Sequence, residues 1–139
     1  MKVQRGNKKE KDWKRDADRL FSLLVRQENA DEDGIVQCCT CGRRHHWRKG
    51  MNCGHYMVRQ HQSTRFDRQN TDVQCVYCNH FNEGEQVKFG EFLDKKHGEG
   101  TAEAMQLKSK MRCNRTQMEY KYLCEKFTKE LTDNQYLTR

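Results

Sequence analysis

The sequence predicts an α+β protein: a small, metal-braced core of short strands set between helices. Three observations carry that expectation. Apolar residues recur at helical spacing near the start and again through the last third, and short apolar runs in the middle lead into two cysteine turns. Those turns, Cys38-x-x-Cys41 and Cys75-x-x-Cys78, have the ligand spacing of a zinc site. A chain of 139 residues fits a single domain. Only 34% of it is hydrophobic and 34% is charged, so the apolar core is small and bound metal is expected to supply folding free energy that burial does not.

Each element follows from its own residues. Residues 1–10 are polar and basic without apolar periodicity, which predicts a flexible arm able to lie on a polyanion, ahead of one domain over 11–139. Within that domain a helix is expected over 11–30: Trp13, Ala17, Leu20, Phe21 and Leu24 recur at helical spacing and read as core, and the "DEDG" turn ends the run. The metal-braced core is expected over 35–82. There "GIVQCCTCG" reads as a short strand entering a cysteine turn, and the run from Asp72 enters "CVYCN" in the same way. A helical part is expected over 85–132. In it "EQVKFGEFLDKKHG" puts Val87, Phe92 and Leu93 on one side and stops at Gly98, and "TAEAMQLKSKM" follows as a second helix. A third begins at Thr116, where "TQME" is a capping box between the Thr116 hydroxyl and Glu119, and runs to about Leu131.

A Cys-x-x-Cys turn presents two sulfurs to one point, and two such turns complete a tetrahedral thiolate site. No run approaches the roughly 20 apolar residues that span a bilayer, and the first residues lack the apolar core of a signal peptide. A soluble, cytoplasmic protein with no membrane partner is therefore expected. In that reducing setting a structural zinc on Cys38, Cys41, Cys75 and Cys78 is a better reading than disulfides or a redox pair. In "CCTC" Cys39 competes with Cys38, which has the better spacing. Cys53, Cys113 and Cys124 read as buried small apolar residues. His45 and His46 read as surface groups or spare ligands, His61 and His80 as structural, and His97 as a favourable charge at a helix end.

The net charge of +7 and pI near 9.0 favour an anionic partner. Between Gly42 and Thr71 stand Arg43, Arg44, Arg48, Lys49, Arg59, Arg65 and Arg68, with Asp67 the only acid. A solvated basic surface would look the same, but this run surrounds His55 and lies between the two cysteine turns. Arg43, Arg44, Arg48, Arg59, Arg65 and Arg68 are the expected nucleic-acid contacts, with Arg59 and Arg65 as candidate phosphate clamps.

The stretches "CCTCG", "GHYMVRQHQSTRFDRQN" and "QCVYCN", with the lead-in "LFSLLVRQENADEDGIVQC", resemble the phage lambda NinG (Rap) family of recombination endonucleases. The likeness covers about Lys11 to Asn82 and, more loosely, the closing helices including "RTQMEYKYL". The order Cys-x-x-Cys, His, Cys-x-x-Cys-Asn is also similar to the endonuclease VII branch of the His-Me finger (HNH) nucleases. That resemblance implies a zinc-braced ββα-metal core with flanking α-helices, acting on branched DNA of the Holliday-junction type in phage recombination within the host cytoplasm.

By matching motif, the resemblance makes His55 the general base, Asn79 a ligand of a catalytic Mg²⁺ or Mn²⁺, and Asn70 an orienting residue. The residue before the histidine, usually a metal-binding Asp or His in the fold, is Gly54 here. Asp67 is then the first candidate for the second ligand, with Asp72 and Glu83 behind it. The chemistry is consistent: an imidazole of ordinary pKa near 6.5 accepts a water proton at neutral pH, and oxygen donors suit a hard cation. Symmetric cutting of two strands favours a homodimer. The rival expectations are a non-catalytic zinc module that binds nucleic acid, and a nicking HNH nuclease without junction preference.

Overall fold

The computed structural model describes residues 11–81 and 83–137, so the expected arm over residues 1–10 lies outside the described residues. Helix α1 (Trp13–Glu28) begins where the Asp12 carboxylate accepts from the Arg15 amide at 3.2 Å. It buries Ala17, Phe21, Leu24 and Val25. Their partner is the long helix α4 (Gln117–Leu137), introduced by Thr116, whose hydroxyl accepts from the Glu119 amide at 3.2 Å. Phe21, Phe66 and Phe127 meet between α1, α4 and the loop over residues 56–70, with ring centroids 5.3 to 5.8 Å apart. Helix α4 runs six residues beyond Leu131, past the expected end.

Between these helices in sequence come two antiparallel hairpins. Strand β1 (Ile35–Gln37) pairs with β2 (Arg44–His46), Ile35 opposite His46, and the Cys38–Cys41 turn forms the tip. Strand β3 (Met51–His55) pairs with β4 (Thr71–Cys75), from Met51 opposite Cys75 to His55 opposite Thr71. Every residue of β4 is buried. The chain then enters a π-helical turn, Tyr77–Phe81, so that the second cysteine pair spans the junction of strand and helix.

Strands β1 and β4 lie where the apolar runs placed them; β2 and β3 carry no such signal. All three residues of β2 are exposed, and the strand is held by backbone pairing to β1. In the last third, α2 (Gln86–His97) and α3 (Thr101–Ser109) pack Phe89, Leu93, Ala102 and Met105 around Tyr56. Val87 is corrected: it is 77% exposed, because the buried face of α2 runs through Phe89, Gly90 and Leu93. A Cβ at Gly90 would stand 3.3 Å from the Tyr56 ring, a tight approach that the glycine relieves.

Candidate metal centre and catalytic cleft

Four sulfurs converge where the two hairpins meet. The Sγ atoms of Cys38, Cys41, Cys75 and Cys78 all lie within 4.8 Å of one another. Cys41 and Cys75 are 3.7 Å apart, close to the edge of about 3.8 Å that a tetrahedron with Zn–S bonds of about 2.3 Å requires. Backbone bonds shape the tip: the Cys38 amide donates to the Arg43 carbonyl at 2.8 Å and the Gly42 amide to the Cys38 carbonyl at 3.0 Å. Burial raises the Cys38 thiol, but the Thr40 hydroxyl and the amides of Cys75, Thr40 and Cys41 outweigh it and bring the group down to about 6. The cluster can hold a structural zinc ion. Cys39 is not part of it: its amide donates to the Val73 carbonyl at 2.9 Å, and burial pushes its thiol far up.

Beside this centre lies a cleft of about 530 Å³, lined among others by Asp18, Asn52, His55, Arg59, Asn79 and Glu83. His55 ends β3, and its Nε2 lies 2.9 Å from the Arg65 carbonyl oxygen. A carbonyl only accepts, so Nε2 carries the proton and, in the neutral ring, Nδ1 keeps its lone pair. Burial lowers the His55 pKa and is the largest influence; the bond to the Arg65 carbonyl and Asp18 oppose it, while Arg59 and Arg65 reinforce it.

Asn70 is fully buried and closes the 56–70 loop. Its Oδ1 accepts from the Met57 amide at 2.8 Å, and its Nδ2 donates to the carbonyls of Met57 and Thr64 at 3.0 and 3.1 Å. Asn79 sits on the π-helical turn and borders the same cleft as His55.

Asp67 is not brought to this cleft. Its Oδ2 is bound by Lys108 of α3 and its Oδ1 accepts from the Gln69 amide at 2.8 Å, and it is not among the residues that line the cleft. Asp72 does not line the cleft either: it is buried and paired with Lys96 at 2.7 Å. Of the acids considered, Glu83 borders the cleft, and it makes no ion pair among the described residues. His80 borders it too, exposed, rather than being packed in structure.

The arginines divide in a way the sequence could not show. Arg65 is buried: Asp18 takes its Nε and Nη2, and the Arg59 carbonyl takes its Nη1 at 2.7 Å. Arg68 bridges Glu28 of α1 and Glu130 of α4 at 2.9 and 3.2 Å. Neither presents a free guanidinium as the phosphate-contact expectation required. Arg43, Arg44 and Arg48 are exposed around the first hairpin, Arg44 3.6 Å from Asp31 and Arg48 4.8 Å from the centre of the Trp47 ring. Arg59 is exposed at the cleft.

Sequence reading missed Asp18, Asn52 and Gln74. Asp18 sits among charged residues of an amphipathic helix, where no local signal marks one acid over another. Gln74 could have been suspected, since a polar residue in an otherwise buried strand needs a partner.

The sequence matches, over residues 2–135, the family described as Bacteriophage Lambda NinG protein. The chain belongs to the NinG family. Comparison of this NinG protein with curated proteins and with solved structures gave no match. Among its described residues no helix is long and apolar enough to cross a membrane.

Proposed function

We propose that this NinG-family protein is a metal-dependent endonuclease of the His-Me finger type that hydrolyses a phosphodiester in branched DNA. The observation that carries the reading is the His55 to Arg65 carbonyl bond in a cleft that Asn79 shares. It fixes the tautomer a general base needs, and burial keeps that base neutral at working pH. A hairpin with the base at the end of its first strand, followed by a helical turn bearing the amide, is the order a ββα-metal core requires, which supports the fold assignment.

The oxygen donors of Asn79 and Glu83 fit a hard divalent cation, Mg²⁺ or Mn²⁺, and would hold it. Bound there, such an ion supplies charge stabilisation for the phosphate in the transition state. His55 takes the proton of the attacking water. The side chain of Asn52, which lines the cleft, adds a polar group to its wall. Arg59 adds positive charge at the rim. Cys38, Cys41, Cys75 and Cys78 would hold zinc, which would brace both hairpins and with them β4 and Asn79.

Cleavage of a synthetic four-way junction tests the proposal. The parent chain should cut it with Mg²⁺ or Mn²⁺ and His55→Ala should bind but not cut; equal cutting by both rejects the proposal. Flap and linear duplex substrates at the same salt separate junction preference from simple nicking. The exposed Arg43, Arg44 and Arg48 beside Trp47 favour one second reading, a zinc module that only binds nucleic acid.

A further inference from the structure

We infer that Asp18 of α1 is a positioning residue for His55, acting through Arg65, so that the first helix orients the imidazole from outside the hairpin core. The catalytic consequence rests on the nuclease reading; the structural one does not. Four bonds form a continuous path. The Asp18 carboxylate receives Arg65 Nε at 2.8 Å and Arg65 Nη2, Arg65 Nη1 donates to the Arg59 carbonyl at 2.7 Å, and the Arg65 carbonyl accepts from His55 Nε2 at 2.9 Å. The residue whose backbone orients the imidazole is therefore clamped at both ends of its guanidinium.

The clamp is mostly out of water, with side-chain exposures of 11% for Arg65 and 17% for Asp18. Buried ion pairs add little stability over an apolar pair of the same volume. What this pair adds is direction: a planar fork on a carboxylate fixes rotation as well as distance. Asn70 ties the 56–70 loop through Met57 and Thr64, the residue before Arg65, and the fork on Asp18 adds a side-chain constraint at Arg65 itself. Asp18 is itself placed by the packing of α1 on α4.

The groups facing His55 are Asp18 from α1, Cys53 from its own strand, Arg59 and Arg65 from the loop, and His80 and Glu83 across the cleft. With Asp18 neutralised, two guanidiniums face the ring uncompensated and Arg65 loses its bidentate partner. The Arg65 carbonyl then moves, and the ring samples both neutral tautomers.

Nitrogen-15 NMR of the His55 ring in the zinc-loaded full chain, alongside the pH profile of junction cleavage, tests this for Asp18→Asn, Asp18→Glu and Arg65→Lys. The parent ring should show the Nε2–H tautomer. Asp18→Asn should show a mixture, a lower ring pKa, and kcat reduced about 10- to 100-fold with KM little changed, the usual scale for a displaced supporting partner. Asp18→Glu, which keeps a carboxylate, should recover part of the tautomer preference. Should Asp18→Asn not fold, Arg65→Lys, which keeps the charge and loses the fork, carries the same expectation. An unchanged tautomer in Asp18→Asn and Arg65→Lys overturns the inference, even if cleavage falls. A shifted tautomer in a protein whose parent form cuts no DNA upholds it and rejects the nuclease reading instead.

Discussion

A Cβ at Gly54 would lie 2.2 Å from Oε1 of Gln74 and 2.8 Å from its Cγ: the side chain of one strand fills the space that a side chain on the other would take. Gln74 is fully buried and cannot swing aside freely, since its Nε2 donates to the Thr40 hydroxyl at 3.2 Å and the Gly84 carbonyl at 2.9 Å. A side chain at residue 54 would have to displace Gln74. Gln74 also links the cysteine turn holding Thr40 to the turn bearing Glu83.

Gly54→Ala should therefore destabilise the protein by about 1 to 3 kcal/mol, the usual range for overpacking a filled core. Urea denaturation measures it. Combined with Gln74→Ala, the two losses should fall short of additive, because the second substitution makes the room the first one lacks. Strict additivity would show that the contact is slack.

Zinc should be stoichiometric with the chain and necessary for its middle third to fold. Cys38→Ser is expected to lower zinc content and the thermal midpoint together, whereas Cys39→Ser leaves both near the parent values. Metal analysis beside a melting curve decides it, and equal zinc loss in the two variants would put the wrong cysteine in the site.

His55 is held below its ordinary pKa chiefly by burial. The unfolded chain then binds the proton more readily, so this group's contribution to stability is complete above about pH 6.5 and is lost as pH falls from there through the folded value. The acid limb of cleavage should accordingly lie below pH 6.5. Loss of positive charge in Arg59→Gln should move that limb upward, as kcat/KM against pH would reveal; a limb above 6.5 in the parent chain contradicts the burial argument.

Basic residues should separate by salt dependence. Arg43→Ala and Arg48→Ala are each expected to reduce the slope of log affinity against log salt by about 0.9 if the side chain meets a phosphate of duplex DNA. Arg68→Ala should leave that slope alone and instead cost less than about 1 kcal/mol of stability, since its pairs with Glu28 and Glu130 are partly exposed and screened. A slope change for Arg68→Ala would mean that DNA displaces one of those acids.

The elements most legible in advance were those with a local physical signature. The period of Ala17, Phe21 and Leu24 reported α1, the Thr116 cap reported the start of α4, and the two cysteine turns reported the four-sulfur cluster. Strands β2 and β3 were silent because Arg44–His46 are exposed and Met51–His55 includes a glycine beneath Gln74, so neither alternates apolar with polar.

By itself the sequence determined what is set by neighbours along the chain: helical periodicity, metal-ligand spacing, excess positive charge, and the motif that points to His55 and Asn79. Only the tertiary structure decided which charges are free. Asp18 and Arg65 are 47 positions apart and Asp67 meets Lys108 across 41, so the neutralisation of two expected site residues depends on how α1 and α3 close over the 56–70 loop. An ion pair depends on distance and burial in space, and residue order along the chain encodes neither.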